Sequence, residues 1–553
     1  MKFVLWSVVI LTLIGCDGVL SRVAVLESLL DDIHSTETNL NNSKDKDVTA
    51  DVSLNEILPE NDENNTFNIS DTKNCTSETG IDGVIQKLLS PCEVKPVDNG
   101  TALILTPFLE QGNPVEARSK SRVNPLLFLG VESYSGFFTV NKTYNSNMFF
   151  WYFPSLKRNV TETPLVIWLQ GGPGASSMTG LFDEIGPFRV FNNTLRANPF
   201  TWLKEHSLLF IDNPVGTGFS FTDHDEGFAT SMETYSEHLY STVNQFLQVF
   251  PELRTAPLYI AGESYAGKYV PALGRELHEH KVKGLIDVNL QGFIIGNGFV
   301  DPDALKDLSI PMMYVGLLLP QQITIIRPLL DSFRRDIEEN NSLEAKRKWG
   351  YLISVLLWLT HQEHSYNFLR DSIGVGQYAN FLKESEVKRA LHVGDINFEN
   401  VNFTVNIKLA PDFLWKSGPV IEDLLDHYRV LLYCGHLDMM LPCVYSSQVH
   451  AKWKWSQSSE FQNAVRYPYI FRKKLSGYYK SGGNLTELVV RGAGHMVPLD
   501  APAAALDLAT RFTTRRPFSA ASPVYEGTML RNMIMDVLKT NATENDVQAI
   551  YYL

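Results

Sequence analysis

The chain has 553 residues, with 48 Lys+Arg against 62 Asp+Glu for a formal net charge of −14, and 44% of it is hydrophobic. That apolar content supplies a large core and excludes a wholly disordered, collagen-like or coiled-coil protein. An acid excess without any long Lys/Arg block lacks the concentrated positive charge that nucleic acids and anionic membranes require, so the expected partner is a small molecule or a peptide.

In chain order, Met1-Lys2 and the apolar run FVLWSVVILTLI come first, ending in small residues at 15–18. The run is shorter than the roughly 20 residues that span a bilayer and reads as a signal peptide over 1–18. Leu13-Ile14-Gly15-Cys16 also fits a bacterial lipid-attachment box, a pattern short enough to arise by chance. Residues 19–100 read as a disordered acidic leader or propeptide. Over 31–80 there are 12 acidic and 3 basic side chains and one aromatic, Phe67. Without a sustained apolar period, burial there cannot offset chain entropy.

Residues 101–516 alternate apolar runs with amphipathic segments. The aromatic stretch 132–153 alternates over short distances and predicts antiparallel strands. Continuous runs at 165–169, 208–211, 258–261, 290–295, 430–433 and 488–490 predict strands covered on both faces. Tyr235, Leu239, Val243, Phe246 and Phe250 share one helical face. The pattern predicts a doubly wound, mostly parallel α/β sheet, with a helical cap inserted at about 303–425. Residues 517–553 form a linker and tail.

Twelve Asn-x-Ser/Thr sequons support a secretory route, secreted or lysosomal: Asn41, Asn64, Asn68, Asn74, Asn99, Asn141, Asn159, Asn192, Asn340, Asn402, Asn484 and Asn541. Within the folded region the candidates for glycosylation are Asn141, Asn159, Asn192, Asn402 and Asn484. Beyond Cys16, four cysteines allow three pairings; proximity favours Cys75 with Cys92 and Cys434 with Cys443, unpaired core thiols being the alternative. No CxxC or clustered His/Cys spacing points to a zinc site, and no metal or cofactor is expected.

In such sheets ligands gather at the carboxyl ends of strands. The 258–261 run is followed by Gly262-Glu263-Ser264-Tyr265-Ala266-Gly267 and a helical pattern, which is a nucleophile elbow with Ala266 where G-x-S-x-G has glycine. A serine needs a base, and the base an orienting acid. His495, in a small-residue loop after 488–490, is the candidate base, and Asp438, just past 430–433, the candidate acid. The order Ser264, Asp438, His495 is that of α/β-hydrolases. His436 would share a strand face with Asp438, yet lies too early to be the base and is read as structural. The glycines of Trp168-Leu169-Gln170-Gly171-Gly172-Pro173-Gly174 suit an oxyanion hole built from the Gly172 and Tyr265 amides.

Four motifs together resemble the serine carboxypeptidase family over about 101–515: Gln170–Gly174 with Ser176-Ser177, Asp212-Asn213-Pro214-Val215-Gly216-Thr217-Gly218-Phe219-Ser220, the serine elbow, and Gly494-His495-Met496-Val497-Pro498. The likeness is nearest to the vitellogenic-like branch, which includes insect venom enzymes. It implies an α/β-hydrolase fold and removal of C-terminal residues from peptides at acid pH through an acyl-enzyme. It also implies that Glu184 and Glu263 bind the substrate's terminal carboxylate, with Gln170 where the family often has Asn. Ala175 stands where the family often has Cys. The alternatives are another secreted α/β-hydrolase, such as an esterase, an aminopeptidase or an acyltransferase, and a non-catalytic binding protein. The sequence leaves the oligomeric state open, a homodimer included.

Overall fold

A computed structural model describes residues 100–518 except position 158. The signal peptide, the leader, Cys75 with Cys92, the tail beyond 518 and the sequons at Asn41, Asn64, Asn68, Asn74, Asn99 and Asn541 lie outside the described residues.

The aromatic stretch forms an antiparallel hairpin, β1 (Tyr134–Asn141) and β2 (Ser146–Phe153). Then follow β3 (Leu165–Leu169), β4 (Phe188–Phe191), β5 (Thr194–Ala197), β6 (Ser207–Ile211), helix α1 (Met232–Val249), β7 (Leu258–Glu263), helix α2 (Ala266–Val282) and β8 (Leu290–Gly296). After the helical hairpin α3 (Pro320–Glu338) and α4 (Ser342–Thr360) come β9 (Arg429–Gly435), β10 (Arg466–Phe471), β11 (Lys474–Gly482), β12 (Leu485–Val490) and α5 (Pro502–Thr513).

Ten strands form one sheet in the order β1-β2-β6-β3-β7-β8-β9-β12-β11-β10. The six apolar runs read from the sequence are its parallel centre, β6 through β12 in that order. Each central strand is buried on both faces. Ile167 and Leu169 join one core with Tyr235, Leu239, Val243 and Phe246 of α1, whereas Val166 and Trp168 join a second core with Leu508 and Phe512 of α5. The separate hairpin β4–β5 and the strands β10 and β11 were not foreseen.

Between the paired neighbours β8 and β9 the chain leaves the sheet at 297–428 and runs mainly through helices. In α3, Ile323, Ile326, Leu330, Phe333 and Ile337 are buried at alternating spacings of three and four, the stripe that packs a helix against its neighbour. Cys434 and Cys443 form the expected disulfide, with Cα atoms 5.8 Å apart, at the end of β9. No helix among the described residues is long and apolar enough to cross a membrane.

Candidate active site

β7 ends at Glu263 and α2 begins at Ala266, so Ser264 sits in the turn between them with φ 60°. A side chain in that region is strained and persists only when its surroundings hold it. Here the Ser264 N–H donates to the Gly296 carbonyl at 3.0 Å, and its own carbonyl accepts from Gly267 N at 2.9 Å and Phe299 N at 2.8 Å. The small neighbours are required by contact: a Cβ on Gly262 would lie 2.4 Å from the Leu169 carbonyl, and one on Gly267 2.7 Å from Phe299 N. Ala266 fits in the glycine's usual place because it already starts α2.

One strand away, Asn297 follows Gly296 and donates through Nδ2 to Asp438 Oδ2 at 2.6 Å, while its Oδ1 accepts from Gly435 N at 3.1 Å. Asp438 Oδ2 also meets His495 Nδ1 at 2.7 Å, and its Oδ1 accepts from Met440 N and Leu441 N. A continuous run of contacts therefore leads from Ser264 through Gly296-Asn297 to Asp438 and His495. The His495 backbone N–H donates to the Tyr366 carbonyl at 2.6 Å, and its ring meets the Tyr366 ring edge-on at 4.9 Å. With Nδ1–H directed at Asp438, His495 Nε2 is left as an acceptor, buried and without a partner among the described residues. Burial pulls the imidazole's pKa down, but the charge and hydrogen bond of Asp438, helped by Glu263, outweigh it and raise the pKa above the ordinary value. His436 does not share a face with Asp438: β9 stops at Gly435, and the turn leaves His436 exposed while Asp438 is buried. Its Nδ1 accepts from Gly492 N at 3.2 Å, a loop contact.

The glycine loop after β3 lies against the elbow. A Cβ on Gly171 would be 2.5 Å from Tyr265 N and 2.7 Å from Ser264 Cβ, and Gly172 has φ 111°. Neither the Gly172 nor the Tyr265 N–H donates to a backbone carbonyl among the described residues. Asp212, first residue of the second motif, braces the loop from behind. It accepts from the Ser176 hydroxyl at 2.6 Å, Ser177 N at 2.9 Å and Phe219 N at 2.9 Å.

Glu184 and Glu263 are each 1% exposed and face one another beside Gln170, whose Nε2 donates to Glu263 Oε1 at 2.7 Å. The Gln170 carbonyl in turn accepts from Trp168 Nε1 at 2.9 Å, which fixes the amide's orientation. Both oxygens of Glu184 and Oε2 of Glu263 find no N–H or O–H donor among the described residues. Two ionised carboxylates would repel in that position, and one shared proton satisfies both. Burial, then the charge of Glu263, raises the Glu184 pKa well above the usual carboxyl range; burial likewise raises Glu263, to about 7, against the opposing charge of His495.

The sequence reading missed Asn297, Tyr366 and Tyr433. Tyr433 pairs in register with Gly296, which pairs with Glu263. A Cβ on Gly296 would lie 2.4 Å from the Tyr433 hydroxyl, so only glycine lets that phenol lie across the sheet at this level. Asn297 alone left a sequence signal, a polar side chain directly after an apolar run. Among the described residues, no group of three or more His, Cys, Asp or Glu could hold a metal ion.

A doubly wound sheet that carries a serine elbow, an Asp–His contact and a glycine loop at its carboxyl edge defines an α/β-hydrolase. Residues 125–515 match the serine carboxypeptidase family model. The chain is 40% identical over 433 residues to the venom serine carboxypeptidase of Apis mellifera, covering 76% of this chain and 92% of that one. It is 39% identical to the vitellogenic carboxypeptidase of Aedes aegypti over 76% and 91% of the two chains. The human probable serine carboxypeptidase CPVL is 37% identical over 78% and 94%. Among solved structures, a prohormone-processing carboxypeptidase from Saccharomyces cerevisiae, Kex1Δp, superposes with a TM-score of 0.63 at 25% identity, over 72% of this chain and 96% of that one. The chain belongs to the serine carboxypeptidase family and is a serine-type carboxypeptidase, acting on peptides with C-termini. The esterase, acyltransferase and non-catalytic alternatives are not favoured.

Proposed function

We propose that Ser264, His495 and Asp438 act as nucleophile, base and orienting acid. Ser264 Oγ attacks the last peptide carbonyl and its proton passes to His495 Nε2, while Asp438 holds the ring through Nδ1. The oxyanion that forms is received by the N–H groups of Gly172 and Tyr265. His495 then returns the proton to the leaving amine, the C-terminal residue departs, and water releases the acyl group from Ser264 by the same base catalysis. Glu184, Glu263 and Gln170 bind the terminal carboxylate, the protonated carboxyl donating to it. The observation that carries this reading is the buried carboxyl pair next to the nucleophile, which recognises an acid end that esters and amino-terminal substrates lack.

The same pair favours mildly acidic working conditions, consistent with a secreted or lysosomal destination, with 1–18 removed as a signal and 19–100 serving as leader or propeptide to the domain at 101–516. Asn159 and Asn192 are exposed and suit glycosylation. Asn402 and Asn484 suit it less, because their amide nitrogens already donate to the Gly216 and Leu425 carbonyls.

The test is a mixed peptide pool incubated at mildly acidic pH, with termini read by mass spectrometry. Single-residue loss from free C-termini, none from amidated ones, and a drop of about a million-fold in Ser264→Ala are expected. Equal attack on blocked and free ends would overturn the carboxylate assignment.

A further inference from the structure

Lys268, four residues after Ser264 in α2, is 0% exposed. An ammonium group is placed there at a large desolvation cost unless acceptors surround it. They do: Nζ donates to the carbonyls of Asp412 at 2.6 Å, Phe413 at 2.9 Å and Trp415 at 2.7 Å, and lies 3.8 Å from Asp412 Oδ2. The rings of Phe299 and Tyr265 line the same pocket, 4.8 and 5.2 Å from Nζ. Asp412 Oδ2 also accepts the Tyr265 hydroxyl at 2.8 Å and that of Tyr235 at 3.4 Å. Just beyond, Ser417 Oγ donates to the Gly267 carbonyl at 2.8 Å. The end of the helical insertion is thereby fastened to the first turn of α2 at the residues that flank the nucleophile.

We propose that the buried Lys268–Asp412 pair is a positioning device for Tyr265, holding its side chain so that its backbone N–H points where the oxyanion forms. This rests on the role assigned above to the Tyr265 amide. Tyr265 is the cap residue before α2: its carbonyl accepts from Lys268 N at 3.0 Å, while its N–H has no helical partner. Its backbone is hemmed in by Gly171 on one side. Another constraint is the phenol, whose acceptor, the Asp412 carboxylate, sits 3.8 Å from Lys268 Nζ on a backbone that Nζ holds through three carbonyls. Oxyanion donors act through alignment, and a displacement of about 1 Å lowers rates by about a hundredfold. A pair that served only to fasten the insertion would affect how much protein folds, not the turnover of each folded molecule.

The test therefore normalises turnover to the Ser264 that reacts to completion with a fluorophosphonate. Tyr265→Phe removes one hydroxyl and is expected to lower kcat about tenfold with KM within about twofold. Lys268→Gln and Asp412→Asn each leave a buried charge without its partner and are expected to lower kcat further. The double variant Lys268→Gln/Asp412→Asn, neutral and still able to accept the phenol, is expected to recover most of that loss. Unchanged kcat per reactive serine in Tyr265→Phe, or additive losses in the double variant, would overturn the proposal. If the parent protein lacked carboxypeptidase activity, the functional reading itself would fail, which is a separate result.

Discussion

Glu184 and Glu263 cannot both be ionised while facing each other at 1% exposure, so their shared proton ties substrate affinity to pH. Burial raises both carboxyl pKa values, so as rising pH strips protons from the pair, KM for a peptide is expected to climb while kcat changes less. A KM flat from mildly acid to neutral pH would contradict proton sharing. Glu263→Gln supplies a permanent donor and is expected to keep more of its acid-pH affinity at neutral pH than the parent does. Asn297 offers a second test. Its amide meets Asp438 and Gly435 N at once, and leaving such buried groups unpaired costs about 1–3 kcal/mol. Asn297→Ala is expected to lower kcat by about tenfold or more and to reduce the melting temperature, measured by steady-state kinetics and thermal unfolding. The residues at 264, 438 and 495 were picked out because each follows an apolar run, the mark of a strand's carboxyl end, with small residues also flanking 264 and preceding 495. Asn297 carried the same mark and was passed over; Tyr366 and Lys268 were not legible, since their importance comes from burial against partners distant along the chain.

Strands fully covered on both faces announce themselves as continuous apolar runs, which is why β3, β6, β7, β8, β9 and β12 could be read directly. The last two strands toward one edge, β10 and β11, could not. β10 contains Pro468, admissible at an edge because one row of its N–H groups has no ladder to join. β11 mixes Lys474, Lys480 and two glycines with half-exposed tyrosines, so its period is lost in polar composition. The close approach of glycine loop and elbow predicts that Gly171→Ala, whose Cβ would lie 2.5 Å from Tyr265 N, abolishes measurable turnover even in protein that still folds. The Cys434–Cys443 bridge closes a short loop, nine residues in separation, that contains Asp438. Loop-closure entropy assigns it about 3 kcal/mol, so the double Cys→Ser variant is expected to melt at lower temperature and to lose activity before it unfolds.

Across the whole molecule, buried titrating groups set the pH range of stability. Burial raises Asp183 and Asp212 to about 6 and Glu263 to about 7. A raised carboxyl contributes stability that is complete below its unfolded value of about 4 and lost as pH climbs through its folded one. Burial draws His206 and His238 down to about 4, and their contribution has the opposite sign, complete above about 6.5 and lost as pH falls toward 4. The two sets oppose each other between roughly pH 4 and 6, where three carboxyls outweigh two histidines, and the Glu263 loss continues to about 7. Thermal unfolding is expected to show a melting temperature that falls gently from about pH 4 to about pH 7; a steady rise over that range would contradict this. The insertion between β8 and β9 reaches the reacting groups at several points: Tyr366 against His495, Asn367 on Asp500 beneath the histidine loop, Asp412 on Tyr265, and bridges from Val401 to Ala175 and from Glu399 to Gly218. It is therefore no interchangeable cassette. A chimera meant to alter side-chain taste by grafting another enzyme's cap would have to keep the native stretches around 364–367 and 399–417, or it would exchange selectivity and acyl transfer in one stroke.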